Sequence, residues 1–82
     1  MINRDDEYFM FFYGTKCPNC PPVRKIVDDN DDGTIQFVNA HENIALCQFF
    51  GVKSVPTLLK VDNEGNVLGR YYTVNEVKRC FE

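Results

Sequence analysis

The stretch YFMFFYGTKCPNC, residues 8–20, decides the fold of this chain. It begins with a run of aromatic and apolar residues that ends at a glycine, which is typical of a buried strand followed by a turn. It ends with Cys17-Pro18-Asn19-Cys20, and beyond it Val23, Ile26 and Val27 recur at the spacing of one helix face. Two cysteines in a CxxC spacing, between a strand and a helix, predict redox chemistry through a disulfide that opens and closes.

Length and charge narrow the classes of protein to consider. Eighty-two residues are enough for one domain, which we expect to span residues 1–82. A chain this short buries only about 60% of the surface that its unfolded form exposes, so one small sheet with few helices is expected. The net charge of −3 argues against a nucleic-acid partner, because phosphate binding needs clustered cations. No apolar run has the length of a signal core or a membrane span, and we expect a cytoplasmic monomer without a membrane partner.

Turn signals divide the chain into elements in the order strand, helix, strand, helix, strand, strand, helix. Residues 34–38 alternate as a second strand, which a helical crossover would place parallel to the first. Residues 57–61 and 66–68 flank the turn sequence 62–65 and predict an antiparallel hairpin. Residues 73–76, Thr-Val-Asn-Glu, have the spacing of a capping box at the start of a last helix. The pattern predicts an α/β fold with a four-stranded mixed sheet.

The second helix is predicted from its two ends. Asn43 is a suitable N-cap residue, and Gly51 is placed to end the helix in the left-handed conformation. Between them, Ile44, Cys47 and Phe50 are spaced so that we expect all three to face the core.

These features together resemble the thioredoxin superfamily over nearly the whole chain. The resemblance rests on the cysteine pair after the first strand, on Ser54-Val55-Pro56-Thr57 before the third, and on the hairpin and last helix. Residues 50–59 resemble thioredoxin, whereas the missing leading strand and helix resemble the shorter glutaredoxins. The resemblance implies a single minimal thioredoxin-like domain, β-α-β-α-β-β-α, whose four-stranded mixed sheet is flanked by three helices.

It also implies a thiol–disulfide oxidoreductase. Disulfide exchange needs an exposed thiolate nucleophile and a second thiol that resolves the mixed disulfide. Cys17, expected at the N-terminal end of the first helix, would attack, because free backbone N–H groups there stabilise a thiolate. Cys20, one turn deeper, would resolve. Pro21 and Pro22 lack N–H groups and predict either that the first turn is distorted or that the regular helix starts late. No metal and no cofactor beyond the redox-active disulfide are expected.

Substrate contacts are expected on both sides of the cysteine pair. Lys16, Pro18 and Asn19 surround the nucleophile in the sequence. The resemblance implies a cis bond before Pro56 and places that proline against the cysteines, and the backbone of Val55 would pair with an extended substrate segment. A cis X-Pro bond costs only about 0.5–1 kcal/mol, so the fold can select it readily.

The expected role is an electron donor to protein disulfides, with ribonucleotide reductase as one candidate target. The electron source is either a thioredoxin reductase-like flavoenzyme or glutathione. Glutaredoxins carry paired glycines and an acidic residue after their hairpin, and this chain has residues 69–73, Gly-Arg-Tyr-Tyr-Thr, instead. That difference favours the flavoenzyme, and a glutathione-dependent glutaredoxin is the alternative.

An alternative of another class is a noncatalytic zinc-binding or interaction module. Cys17 and Cys20 would then form half of a zinc site that Cys47 and Cys80 complete. The competing interpretation is that Cys47 and Cys80 are free thiols packed on helix faces, since a free cysteine behaves as a small hydrophobe.

Overall fold

The computed structural model describes residues 7–82, and the six residues before them, included in the expected domain, lie outside the described part. The elements follow the predicted order: β1 Glu7–Tyr13, α1 Cys20–Asp29, β2 Gln36–Asn39, α2 Ile44–Phe50, β3 Thr57–Asp62, β4 Val67–Tyr71 and α3 Val74–Cys80. None of these helices is long and apolar enough to cross a membrane.

The four strands form one mixed sheet in the order β2-β1-β3-β4, as predicted. β1 is parallel to β2, with Phe12 opposite Val38, because α1 carries the chain back across the sheet. β1 is antiparallel to β3, with Phe11 opposite Leu58, and β4 completes the hairpin at the outer edge. β1, which precedes the cysteines, is therefore hydrogen-bonded to a strand on each side and lies in the middle of the sheet.

Successive side chains of β1 point to opposite faces of the sheet, so the core has two parts. One face, covered by α2, buries Met10, Phe12, Val38, Phe50, Leu59 and Val61. The other face, covered by α1 and α3, buries Phe11, Val23, Val27, Ile35, Leu58 and Val77. Both Phe11 and Phe12 are fully buried, and each such ring contributes about 1.5–3 kcal/mol relative to exposure.

One prediction about the apolar face of α2 is wrong. Phe50 is buried and Cys47 is half-buried, but Ile44 is 62% exposed. Six residues turn an α-helix through about 600°, so the first and last of these side chains point about 120° apart and cannot share one face. Asn43 occupies the N-cap position but makes no side-chain cap bond, and Gly51 ends the helix with φ of 70°, as expected.

The last helix begins with the predicted capping box. The Thr73 hydroxyl accepts a hydrogen bond from the Glu76 N–H at 3.2 Å. The Glu76 carboxylate accepts from the N–H groups of Thr73 and Tyr72 at 3.1 and 3.0 Å. These bonds hold the chain between β4 and α3, which borders the site described next.

Candidate functional site

The cysteine pair is joined by a disulfide in a turn between β1 and α1. The Cα atoms of Cys17 and Cys20 lie 5.3 Å apart, and the Cys20 N–H donates a hydrogen bond to the Cys17 carbonyl at 3.2 Å. Cys20 is only 5% exposed, whereas Cys17 is partly exposed. The two sulfur-bearing residues therefore differ in their access to a partner molecule.

Cys17 was expected at the N-terminal end of α1, but α1 starts at Cys20. The helix begins at Cys20 with Asn19 as its N-cap, so Cys17 lies in the turn before the helix and not at its first residue. The helix starts at the residue before Pro21 and not after the two prolines, so the late start predicted from them is wrong. These prolines occupy the first turn and remove two of the N–H groups that a helix end normally leaves free. The Cys20 N–H already bonds to Cys17, so few helix N–H groups remain for a thiolate at Cys17.

A cavity of about 540 Å³ opens beside the disulfide. Both cysteines line it, together with Tyr13, Gly14, Thr15, Pro21, Arg24, Lys25, Asp28 and Asp29. Its charged side chains pair with one another at the spacing of one helical turn, Arg24 with Asp28 at 3.7 Å and Lys25 with Asp29 at 3.5 Å. The Arg24 guanidinium also lies 5.0 Å from the centre of the Tyr13 ring. Opposite charges thus balance within this cavity.

A groove of about 390 Å³ borders the other side of the turn. Asn19 lines it together with Val55 and Pro56, and the remaining lining residues are Pro22, Val23, Ser54, Tyr72, Thr73 and Val74. The Val55-Pro56 peptide bond is cis, as the resemblance implied. The structure thus brings together three of the residues proposed to contact substrate. The other two, Lys16 and Pro18, are exposed in the turn that carries Cys17.

The sequence predicts a surface or loop position for His41, which is exposed in the loop after β2, but it does not predict that His41 lies close to Gly14. A Cβ placed on Gly14 would lie 3.4 Å from His41 Nε2 and 3.2 Å from Val55 Cγ2, so the histidine and the valine meet at the loop that leads to Cys17. The signal was the parallel pairing of β1 with β2, because parallel strands end at the same edge of a sheet. Tyr13 and Asn39 are partners at that edge, and His41 follows two residues later.

The remaining cysteines lie on opposite faces of the sheet. Cys47 packs against the cluster under α2, and Cys80 packs against the cluster under α1 and α3. Four cysteines arranged in this way cannot surround one zinc ion, and the four-cysteine zinc site is therefore wrong. Nor do residues 7–82 contain another group of three or more histidine, cysteine or carboxylate side chains arranged to hold a metal.

Cys80 is a free thiol, whereas Cys17 is bound in the disulfide. Burial raises the pKa of the Cys80 thiol, while the hydrogen bond from the Tyr71 hydroxyl and the charge of Lys60 oppose that rise. A raised pKa keeps the thiol protonated at neutral pH, and the protonated form is a poor nucleophile.

Comparison with known proteins supports the fold. No protein-family model matches the sequence, and no curated protein does. Among solved structures, a thioredoxin from Malassezia sympodialis has a TM-score of 0.78 at 19% identity, covering 93% of this chain and 70% of that one. The germline-specific thioredoxin Deadhead of Drosophila melanogaster has a TM-score of 0.77 at 18% identity, covering 93% and 76%. Thioredoxin-2, a component of malaria parasite protein secretion machinery, has a TM-score of 0.76 at 21% identity, covering 92% and 77%.

The chain therefore has a thioredoxin fold, and the resemblance drawn from its sequence is confirmed at the level of the fold. The four-stranded mixed sheet and its three flanking helices place a joined cysteine pair at the start of α1. That arrangement supports thiol–disulfide exchange as the class of chemistry.

Proposed function

We propose that this protein is a thiol–disulfide oxidoreductase that carries two electrons from a reductase to protein disulfides. The observation that supports it is the unequal exposure of a joined pair: Cys17 is partly exposed beside an open cavity, and Cys20 is 5% exposed. Attack on a large substrate requires an accessible sulfur, whereas resolution requires only a sulfur next to it. Cys17 is accordingly the nucleophile and Cys20 the resolving thiol.

The reaction proceeds in two exchanges. In the reduced protein the Cys17 thiolate attacks one sulfur of a substrate disulfide, forms a mixed disulfide and releases the other substrate sulfur as a thiolate. The Cys20 thiol then loses its proton and attacks Cys17, which forms the internal disulfide seen here and releases the second substrate sulfur. The substrate gains two electrons, which the protein loses, and its two released thiolates take up one proton from Cys20 and one from solvent.

The electron source that we propose is a thioredoxin reductase-like flavoenzyme. In the segment where a glutaredoxin would hold glutathione, the side chains have other contacts. Arg70 donates a hydrogen bond to the Phe50 carbonyl at 2.7 Å, and the Tyr71 ring covers Gly69. Tyr72 and Thr73 are the residues of this segment that line the groove beside Val55. A groove of this kind suits contacts with a protein, and ribonucleotide reductase is one candidate target.

The test is reduction of insulin by the purified protein, supplied with NADPH and either thioredoxin reductase or glutathione with glutathione reductase. We expect rapid turnover with thioredoxin reductase and slow turnover with glutathione. Cys17→Ser abolishes turnover, and Cys20→Ser accumulates a mixed disulfide with insulin that mass spectrometry detects. Cys80→Ser, the matched control, keeps the activity.

Two results would contradict the proposal in different ways. Full activity of Cys17→Ser, or faster alkylation of Cys20 than of Cys17 in the reduced protein, would overturn the assigned roles. Turnover with glutathione alone would keep the chemistry and make the protein a glutaredoxin.

A further inference from the structure

A third cavity lies next to the cysteine turn, and its charge is not balanced. It has a volume of about 280 Å³ and is lined by Ala40, His41, Ile44, Cys47, Gln48, Val52, Lys53, Ser54 and Val55. Ser54 and Val55 also line the groove that contains Asn19 and Pro56, so the two spaces share one wall. His41 approaches Gly14, which lines the cavity beside the disulfide. The pocket is thus continuous with the surface on which a substrate must lie to reach Cys17.

The position of His41 in this pocket is held by a network of backbone and side-chain hydrogen bonds. The Asn39 side-chain oxygen accepts from the His41 N–H at 2.9 Å, and the Asn43 amide donates to the Asn39 carbonyl at 2.9 Å. The Ala40 N–H donates to the Tyr13 carbonyl at 2.9 Å, which ties the loop to the end of β1. The imidazole is therefore presented from a well-supported turn.

The charge of this pocket distinguishes it from its two neighbours. The cavity beside the disulfide contains two cations and two carboxylates, and the groove beside Pro56 is lined by uncharged side chains. The third cavity has Lys53 and His41 in its lining and no carboxylate. Lys53 makes no ion pair with any described residue, and Glu42, although adjacent to His41 in the sequence, is not part of the lining.

We propose that this pocket selects protein substrates that carry a glutamate or aspartate close to the reactive disulfide. Lys53 would donate a charge-assisted hydrogen bond to that carboxylate, and the His41 ring would donate a second from its N–H. Ile44, Val52 and Val55 would pack against the apolar part of the same segment. This inference rests on the proposed function and adds the class of substrate to it.

The test uses synthetic peptides that carry one disulfide. In a matched set, a single glutamate is moved through each position within four residues of the reactive cysteine, and each peptide is paired with a version carrying glutamine. The second-order rate of reduction by the reduced protein is measured by stopped flow. We expect a three- to fivefold preference for glutamate at one or two positions, about the effect of one exposed ion pair, and we expect high salt to weaken it.

Three single variants and one double variant test whether the preference for glutamate depends on the pocket. Lys53→Gln and His41→Gln each lower the glutamate-to-glutamine rate ratio, and the double variant brings it to about one. Lys78→Gln removes the same charge from an exposed position on α3 and keeps the ratio. Equal rates for glutamate and glutamine at every position, or a preference that survives the double variant, would overturn the inference while leaving the oxidoreductase intact. Failure to reduce any peptide would refute the proposed function, and this inference with it.

Discussion

Gly14→Ala is predicted to impair substrate docking more than it impairs folding. An added Cβ would lie 3.2 Å from Val55 Cγ2 and 3.4 Å from His41 Nε2. The separation from Val55 is shorter than the optimum of about 3.5–4.0 Å between carbon atoms, whereas 3.4 Å from the His41 nitrogen is an ordinary van der Waals contact. The Val55 side chain must therefore move by a few tenths of an ångström, and it belongs to the proposed docking surface.

The expected change in the free energy of unfolding is small because two effects oppose each other. Overpacking costs about 1–3 kcal/mol, and the lower end applies because Val55 is half-buried and His41 is exposed. Gly14 is not among the glycines with positive φ, so alanine restricts the unfolded chain and stabilises the protein by about 0.4–1 kcal/mol. The net loss is about 0–0.6 kcal/mol, which lowers Tm by no more than about 5 °C.

The effect on turnover should be larger than the effect on stability. A misplacement of about 1 Å can cost about 100-fold in rate, so a shift of a few tenths of an ångström should lower kcat/KM for insulin about three- to tenfold. Alkylation of Cys17 in the reduced variant should keep its normal rate, since docking and not the nucleophile is altered. Val55→Ala makes room for the new methyl group, and in the double variant part of the loss should be recovered.

Two outcomes would refute this reasoning. One is an unchanged kcat/KM in Gly14→Ala, which would mean that the contact with Val55 and His41 has no role in docking. The other is a double variant whose loss equals the product of the two single losses, because contacting residues should show coupling.

Three further predictions concern the helices around the site. Thr73→Ala should destabilise the protein by about 1 kcal/mol, measured by urea unfolding, with Asn75→Ala as a control on the same helix. The backbone hydrogen bond from Tyr72 is the main cause that lowers the pKa of Glu76 below its ordinary value of 4.5. The contribution of the Glu76 carboxylate to stability is therefore complete above pH 4.5 and is lost as the carboxylate protonates at lower pH. A Glu76→Gln variant whose stability changed equally on acidification would contradict this. Cys47→Ala combined with Cys80→Ala should leave insulin reduction intact. Of the two single substitutions, Cys47→Ala should lower the free energy of unfolding more than Cys80→Ala. Loss of turnover in a double variant that still folds would show that one of these thiols takes part in the reaction.

Much of the fold could be predicted because its signals are local. The aromatic run before the cysteines, the hairpin turn after β3 and the capping box at Thr73 each depend on residues within one turn or one strand. Such patterns reflect the 2-residue period of strands and the 3.6-residue period of helices, which the sequence displays directly. The start of α1 ahead of Pro21 and Pro22 was not predicted, although proline is tolerated in the first turn, where its missing N–H has no intrahelical partner.

The sequence by itself therefore determined the order of the elements, the position of the cysteine pair between β1 and α1 and, through the resemblance, the cis bond before Pro56. Only the tertiary structure decided which distant residues meet there. The parallel register of β1 and β2 brings His41 to Gly14, and the two faces of the sheet separate Cys47 from Cys80. The physical reason is that strand pairing and sheet faces are set by contacts between segments far apart in the chain. No single stretch of sequence therefore shows the third cavity, or shows that the four cysteines are too far apart to bind one zinc ion.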